Sequence, residues 1–474
     1  MLRKVAVLFI VLLSIAVLCP ILTHPVKASS KTIVVPDDYG AIQAAVDNAS
    51  SGDTVFVRSG IHNGSVSIGK SLSLIGEDKE NTVIAGDWRL GGTVVLVSHG
   101  EVTVKCFTLQ STADNTHGSG IRGVHLLHVQ RCLVSECKFL GVGLGIWLYE
   151  SSGNTIENNR IEGQPKNLPV AGAFRMGFDG IKIESSSHNN ILGNMVTDVY
   201  YTGISLSNSI GNNLTENHVK SNYAGVGIDS SDNNTIASNK ISGNRYGIIQ
   251  DASSHNTITS NIIRESATGL QINSSSFNHV EKNTITNSRY CGVEIHNAGH
   301  NLILGNNITE NKHGLELKLS SNNTLRYNNI TGNNVAGILI VESSDNLVHQ
   351  NNFVNNGLHI SNDGSINTWA GDGKGNYWDN YNGTDIDNNG LGESPYLIDE
   401  SNRDNHPLIK TTTDFQPEDT PTTPTASPSA TPTKEPFPTL FILATAVIAS
   451  ASVGLIVYFT KIKKNQRGNT AKGS

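Results

Sequence analysis

Two sets of residues whose side chains could bind a ligand or catalyse a reaction recur at fixed distances from a repeated glycine. Polar and acidic side chains occupy the position four residues after this glycine, and aromatic or basic side chains the position two residues before it. A pyranose ring has an apolar face and many hydroxyl groups, so exposed aromatic rings near carboxylates suit sugar binding. We therefore predict carbohydrate binding by Phe178, Tyr201, Tyr223, Arg245 and Tyr290.

The carboxylates of the same pattern are candidates for catalysis. Asp229 and Asp251 lie one repeat apart, and Glu184 lies two repeats before Asp229. A glycosidase needs two carboxylates about 5 to 9.5 Å apart, and adjacent stacked strands lie about 4.8 Å apart. Asp229, Asp251 and Glu184 are therefore the candidate catalytic residues, and a lyase could use Arg175 or Arg245 as its base. The alternative is that these carboxylates only keep the surface soluble.

A segment near the C-terminal end resembles the first half of a calcium-binding loop. Asp385, Asp387 and Asn389 alternate with other residues, and Glu393 follows. Carboxylate and amide oxygens are the ligands that Ca²⁺ prefers. The twelfth loop position is Tyr396 instead of Glu, so this is not an EF-hand. We predict Ca²⁺ bound by Asp385, Asp387, Asn389 and Glu393, with a polar Asx-turn as the alternative.

Copper is not expected from the residues that could bind it. A soft copper site needs clustered Met, Cys or His side chains. Met176 and Met195 are the only methionines after the first residue. The histidines form two loose pairs, His125 with His128 and His296 with His300.

A repeat of 22 to 23 residues positions all of these candidates. Its first Asn recurs from Asn189 to Asn346, its second Asn from Asn194 to Asn351, and its glycine from Gly180 to Gly337. Each repeat holds three short stretches of alternating apolar residues, which predict strands. Units this short must stack to bury their apolar faces. The pattern predicts an all-β, right-handed parallel β-helix with three strands per coil.

The two Asn columns are predicted to be structural. Stacked Asn side chains can hydrogen-bond along the axis as a ladder, and Asn tolerates the left-handed backbone of a sharp bend. Asn154 and Asn159 form an earlier unit of the same repeat, and 22 residues before them Cys132 and Cys137 take the two Asn positions. Cys106 lies about one coil before them, so its spacing allows a disulfide, whereas Cys291 is expected to be a small turn residue. The extra residues 164–178 predict a loop that projects from the solenoid.

The ends of the chain predict a surface protein. An apolar run after Arg3 and Lys4 indicates a signal peptide, with an uncleaved anchor as the alternative. A second uncharged run is long enough to span a bilayer, and the basic residues after it put the tail inside. The predicted segments are a signal peptide (1–28), a β-helix with an N-terminal helical cap (32–370), a C-terminal cap (371–410), a Thr/Pro/Ser-rich stalk (411–438), a transmembrane helix (439–459) and a cytoplasmic tail (460–474).

This organisation predicts a single-pass cell-membrane protein with an extracellular ectodomain. The Thr/Pro/Ser-rich stalk and several Asn-x-Ser/Thr sequons would suit a glycoprotein. The net charge of −7 does not suggest nucleic acid as a partner.

Several motifs resemble known β-helix families. Residues 34–39, 42–45, 52–55 and 74–76 resemble the opening of pectin-lyase-like β-helix proteins. The 22-residue units resemble the repeats of NosD-like proteins and of the carbohydrate-binding and sugar-hydrolase (CASH) class. Residues 375–379 and 402–408 are similar to the end segment of archaeal surface members. The resemblance implies the β-helix fold and its capping, and it covers about residues 32–410.

The resemblance implies several functions on one scaffold, because this fold carries lyases, hydrolases, esterases and inert binders. Together with the aromatic column, it favours a cell-surface protein that binds polysaccharide or glycan at the envelope. The alternatives are a polysaccharide lyase or glycoside hydrolase, and a structural or adhesive envelope protein. NosD is named for maturation of the copper site of nitrous oxide reductase, so a NosD-like copper-site maturation factor is a further alternative.

Overall fold

The computed structural model describes residues 30–86, 92–111, 121–163 and 179–412. These form a right-handed parallel β-helix whose three long sheets we call A, B and C. The predicted signal peptide, the projecting loop 164–178, the transmembrane helix, the tail and all but the first two residues of the stalk lie outside the described residues. Within those ranges, no helix is long and apolar enough to cross a membrane.

Sheet A contains the strands that start the Asn-bearing part of each repeat. Its 14 described strands are Thr32–Val35, Thr54–Val57, Ser73–Gly76, Thr103–Lys105, Leu133–Ser135, Thr155–Glu157, Asn190–Leu192, Asn213–Thr215, Thr235–Ala237, Thr257–Thr259, His279–Glu281, Leu302–Leu304, Thr324–Arg326 and Leu347–His349.

Sheet B follows sheet A after a single sharp bend in each regular coil. Its 14 described strands are Gly60–Asn63, Thr82–Gly86, Thr108–Ser111, Lys138–Leu140, Arg160–Glu162, Met195–Thr197, His218–Lys220, Lys240–Ser242, Ile262–Arg264, Thr284–Thr286, Asn307–Thr309, Asn329–Thr331, Asn352–Val354 and Tyr377–Trp378.

Sheet C carries the longest strands and the repeated glycine. Its 13 described strands are Val66–Ile68, Thr93–Val97, Arg122–Leu127, Leu144–Tyr149, Ile181–Glu184, Thr202–Ser207, Ala224–Asp229, Tyr246–Asp251, Thr268–Asn273, Cys291–His296, His313–Lys318, Ala336–Val341 and Leu358–Asn362. The predicted solenoid of three strands per coil is therefore confirmed.

The Asn columns form buried hydrogen-bonded ladders, as predicted. The Asn239 side chain accepts from the backbone N–H and the side-chain amide of Asn217, at 2.9 and 3.0 Å. Its own amide donates to Asn261 Oδ1 and to the carbonyl of Leu214, each at 2.9 Å. A buried amide costs stability unless it is hydrogen-bonded, and here each Asn satisfies the next.

The left-handed residue of each bend is not the ladder Asn itself, so that part of the prediction is wrong. Positive φ angles occur one residue earlier, at Asn233 (56°), Ser238 (57°), His255 (58°) and Ser260 (56°). This placement leaves the following Asn in an extended strand start, where its side chain turns inward.

Two further ladders are present that the Asn repeat did not reveal. At the corner between sheets C and A, serine hydroxyls accept from backbone N–H groups of the preceding coil, as from Ser209 N to Ser231 Oγ (3.0 Å). At the corner between sheets B and C, Asn311 Oδ1 accepts from Ser288 N, and Asn333 Oδ1 from Asn311 N. All three corners are therefore stabilised by side-chain bonds along the axis.

The cysteines confirm the ladder alignment but not the disulfide. Cys132 and Cys137 are buried, and their backbone N–H groups donate to Asn154 and Asn159, as ladder Asn residues do. All four cysteines in the described residues are free thiols, so the bridge that the spacing allowed is not formed. Cys106 instead lies 3.4 Å from a carboxylate oxygen of Glu136.

Both ends of the described solenoid are covered by chain segments. A helix, Ile42–Asn48, buries three apolar residues beside the first strands. At the other end the two Asn ladders continue into the segment predicted as the C-terminal cap. Asn367 donates to Asn402 Oδ1, and Asn376 to a carboxylate oxygen of Asp404. A small antiparallel pair, Tyr396–Leu397 with Arg403–Asp404, holds these residues in place.

The ladder predicts a steep cost for losing one amide in the middle of the stack. Asn239→Ala removes five hydrogen bonds and leaves buried partners unsatisfied, so we expect the free energy of unfolding to fall by roughly 2–5 kcal/mol. The measurement is urea unfolding followed by circular dichroism. Asn213→Ala, which removes an outward-facing Asn of sheet A, should cost within about 0.5 kcal/mol. Equal costs would contradict the ladder as the stabilising element.

Candidate functional site

The outer face of sheet C has three outward columns per strand because the repeated glycine forms a bulge. In Ala224–Asp229 the pairing with the next strand skips Gly225, and Val226 and Ile228 point into the core. A Cβ on Gly225 would lie 2.5 Å from the carbonyl oxygen of the next glycine, so only glycine fits. Residues one before, two after and four after each glycine therefore line the outer face.

Two adjacent coils give this face a floor of small side chains. Thr202 and Ser205 lie on one coil, and Ala224 and Gly227 on the next, in register with them. A Cβ built on Gly227 would meet the methyl group of Thr202, so the glycine does lie on this face. Longer side chains stand on the coils on either side, including Lys182 on one and Ile249 on the other. Of these four small residues, Ser205 and Gly227 are half-buried, and Thr202 and Ala224 are buried.

Tyrosines stand at the corner between sheets B and C, just before the strands that carry these small residues. The rings of Tyr201 and Tyr223 stack with their centroids 5.3 Å apart, and Tyr246 meets Tyr223 edge-on at 5.6 Å. The Arg245 guanidinium lies 5.3 Å from the Tyr223 ring centroid. Tyr201 is 50% exposed and Tyr223 37% exposed. We call Tyr201, Tyr223, Tyr246 and Arg245 the tyrosine ribbon.

A charged and aromatic cluster stands at one end of the same face. Trp147 stacks on His125 at a centroid distance of 4.4 Å, with the Arg122 guanidinium 4.5 Å from its ring centroid. Its indole N–H donates to Glu184 (3.1 Å), and Lys182 Nζ lies 2.8 Å from the same carboxylate oxygen. We call these five residues the Trp147 cluster. It presents one carboxylate, two cations and a large ring within a few ångströms.

Burial tunes two titratable groups on this face. Desolvation, aided by the charge of Arg122, lowers the pKa of His125 to about 4, so its ring is neutral near pH 7. Its buried Nε2 has no hydrogen-bond partner among the described residues. Burial also raises the pKa of the Asp179 carboxyl, although that group accepts hydrogen bonds from Ser205 Oγ (2.6 Å) and Thr202 N (3.0 Å).

The predicted catalytic residues lie on the far edge of sheet C from the tyrosines. Asp229 and Asp251 are paired in register on adjacent coils, as predicted. Glu184 is two coils from Asp229 and belongs to the Trp147 cluster. Tyr223 precedes the strand that Asp229 ends, so six residues, or about 20 Å, separate them along the chain. The structure therefore does not bring the aromatic and carboxylate columns together as one contact site.

The predicted carbohydrate-binding residues divide into a central group and outliers. Tyr201, Tyr223 and Arg245 form the tyrosine ribbon. Tyr290 is 55% exposed and lies beyond Ala267, which interrupts the aromatic column. Phe178 and the candidate base Arg175 lie outside the described residues.

The predicted Ca²⁺ ligands form a turn whose oxygens accept backbone hydrogen bonds. Asp385 accepts from the N–H groups of Asn389 (3.0 Å) and Gly390 (2.9 Å). Asp387 accepts from Asn389, and Glu393 from Ile386 N at 3.3 Å. This geometry is that of the Asx-turn alternative, and Ca²⁺ binding stays a prediction.

Three residues of the Trp147 cluster, Arg122, Trp147 and Lys182, were not among the sequence-based candidates. Trp147 and Lys182 lie two residues after the repeated glycine, a position that the alternation of core residues did not mark as functional. A scan of that column for bulky and charged side chains would have found them, since the corresponding position is a glycine at Gly227.

A family model described as periplasmic copper-binding protein (NosD) matches residues 46–245 and 227–383. No curated protein sequence matches the chain significantly. Solved structures of similar fold include a double mutant of the periplasmic alginate epimerase AlgG, with 15% identity, a TM-score of 0.48, and 71% of this chain and 84% of that chain covered.

Two further solved structures show the same level of likeness. The A-module of mannuronan C-5 epimerase AlgE4 from Azotobacter vinelandii has 16% identity and a TM-score of 0.46, covering 72% of this chain and 100% of that one. The catalytic domain of a GH87 alpha-1,3-glucanase has 15% identity and a TM-score of 0.45, covering 73% and 69%. These likenesses concern the fold alone.

The donors of the described residues do not fit the copper named in the family description. Among these residues, no group of three or more His, Cys, Asp or Glu side chains could hold a metal ion. The thiols of Cys132, Cys137 and Cys291 are buried, and desolvation raises their pKa values, that of Cys137 to about 12. The thiolate is the form that binds metal, so these sulfurs are poor ligands. Met176 lies outside the described residues.

The neutral His125 predicts an acid-sensitive fold. Between pH 6.5 and about 4 the unfolded chain binds this proton and the folded chain does not, so stability falls as the pH falls through that window. His125→Phe keeps a ring against Trp147 and cannot titrate. We expect the variant to lose less unfolding free energy than the wild type between pH 6.5 and 4, by up to about 3 kcal/mol. Urea unfolding at each pH measures this, and identical pH profiles would contradict it.

Proposed function

We propose that this protein, which belongs to the family described as periplasmic copper-binding protein (NosD), binds a polysaccharide on the outer face of sheet C. The observation that carries the proposal is the exposed stack of Tyr201 and Tyr223, on the two coils that also carry the half-buried Ser205 and Gly227. An exposed apolar patch rimmed by polar groups is typical of a binding surface.

The tyrosine ribbon supplies the two kinds of contact that a sugar needs. Its half-exposed rings offer apolar surface to the C–H groups of a pyranose, and its phenol and guanidinium groups offer hydrogen bonds to hydroxyls. Ring stacking within the ribbon restricts the tyrosine side chains before binding. Less conformational entropy is then lost when the sugar docks.

The floor and the Trp147 cluster supply the remaining contacts. Ser205 and Gly227 are small and half-buried, so a sugar could contact the sheet between the longer side chains. A six-residue strand spans about 17 Å between its first and last residues, which accommodates more than one sugar unit across the face. At one end, the Glu184 carboxylate and the Lys182 ammonium can accept from and donate to hydroxyl groups.

A location at the cell envelope is part of this proposal and rests on the sequence alone. The predicted signal peptide, Thr/Pro/Ser-rich stalk and uncharged run 439–459 would anchor the solenoid outside the cell. Envelope polysaccharides would then be the polymers within its reach.

The proposal predicts that binding depends on the ribbon. We expect the double substitution Tyr201→Ala with Tyr223→Ala to weaken retention of the purified full-length protein on polysaccharide columns by about tenfold or more, since aromatic pairs and their contacts each contribute about 1 kcal/mol or more. Affinity electrophoresis against a panel of neutral and acidic polysaccharides provides the measurement. The expected result is retention without turnover.

Phe277→Ala is the matched control, because Phe277 is 52% exposed and stacks with His255 and His300 at the corner between sheets C and A. It should leave retention unchanged. Equal binding by the double variant and the wild type would contradict the tyrosine ribbon as the binding site. New reducing ends or unsaturated products would show turnover, and would favour the enzymatic alternative over simple binding.

A further inference from the structure

A second surface, on sheet B, concentrates positive charge in a groove. The groove has a volume of about 300 Å³ and is lined by His218, Lys220, Lys240 and Arg264, together with Glu265 and smaller residues. We call His218, Lys220, Lys240 and Arg264 the basic groove. The residues come from three consecutive strands, His218–Lys220, Lys240–Ser242 and Ile262–Arg264.

The register places the basic side chains on two parallel columns. His218 is directly opposite Lys240 on the next coil. Lys220 and Arg264 share the other column, two coils apart, with Ser242 between them.

The charge of the basic groove is not neutralised by neighbouring carboxylates. Over the described part of the chain, no carboxylate oxygen lies within 4.0 Å of the charged nitrogens of Lys220, Lys240 or Arg264. Earlier cations on the same sheet do have partners: Lys138 pairs with Glu80 at 2.8 Å, and Arg160 pairs with Glu162. What distinguishes the basic groove is that three such cations share one groove, with Glu265 as the lining carboxylate, on a chain whose net charge is −7.

We propose that the basic groove binds a polysaccharide that carries carboxylate or sulfate groups. Coils repeat about every 4.8 Å, close to the length of one sugar unit in an extended chain, so charges on successive units can meet cations on successive coils. Cations spread over three strands suit a polymer better than a single small anion. The hydroxyl groups of Thr197 and Ser242 line the same groove and can bond to sugar hydroxyls.

The basic groove adjoins the tyrosine ribbon along the chain. Lys220 precedes Tyr223 by three residues, around the corner from sheet B to sheet C. That the ligand is a polysaccharide rests on the proposed function. That this polysaccharide is negatively charged rests on the basic groove itself.

The experiment compares polymers that differ only in charge. Full-length protein is passed over immobilised dextran, carboxymethyl dextran and dextran sulfate at increasing NaCl. We expect retention on one or both charged dextrans that falls with salt, because screening weakens exposed charge pairs, and weaker retention on dextran. Which charged dextran is retained distinguishes carboxylate from sulfate as the recognised group.

Lys220→Gln with Lys240→Gln and Arg264→Gln should weaken binding to the retained charged dextran by about tenfold or more. The matched control is Lys312→Gln with Lys318→Gln and Arg403→Gln, which removes the same three charges from exposed positions elsewhere and should change binding by less than about twofold. Circular dichroism checks that both variants are folded.

Wild-type retention by the groove variant, equal losses in the two triple variants, or equal retention on uncharged dextran would each overturn the proposal. The ribbon variant on the same columns separates the two proposals. If it binds as the wild type does while the groove variant loses binding, the tyrosine ribbon fails as a site and the basic groove stands.

Discussion

The hydrogen bond between Asn side chains of successive coils is the constraint on which the rest of the structure depends. Each buried amide, such as that of Asn239, is satisfied only if the next coil places the same group at the same height. A slip of one residue would leave buried donors without acceptors and would turn core residues outward. The ladders therefore hold the register of more than a dozen strands, and they convert position in the repeat into position on a surface.

This fixed register leaves the outer columns free to differ from coil to coil. On sheet C, the outward column two residues after the glycine ranges from Trp147 to Gly227 without disturbing the core. On sheet B, the same freedom allows Lys220, Lys240 and Arg264 to stand without carboxylate partners. A solenoid that is stabilised by hydrogen bonds at its corners can tolerate such unpaired charges on its surface, because each coil adds its own buried contacts.

The sequence predicted those features that follow from periodicity alone. Residues one repeat apart in the sequence lie next to each other in the stack. This relation predicts the three strands per coil, the Asn ladders and the ladder positions of Cys132 and Cys137. Features that depend on the path of the chain within one coil were harder to predict. Nothing in the alternation shows that Trp147, Lys182 and Glu184 meet in one cluster, or that Tyr223 and Asp229 stand at opposite edges of one strand. The basic groove depends on which carboxylates are within reach, which only the folded chain decides.

The order of residues along one coil constrains how a charged polymer could lie on this protein. From sheet B to sheet C, a single coil presents Lys220, then Tyr223 at the corner, and then the carboxylate of Asp229 at the far edge. An anionic chain that followed a single coil, perpendicular to the solenoid axis, would move away from the cations of sheet B. It would approach Asp229 and its neighbour Asp251, whose carboxylates would repel it. A chain that ran parallel to the solenoid axis would remain against the cations and the tyrosine ring edges over several coils. The distribution of charge therefore favours a polymer aligned with the axis of the solenoid, in step with the ladders that set its spacing.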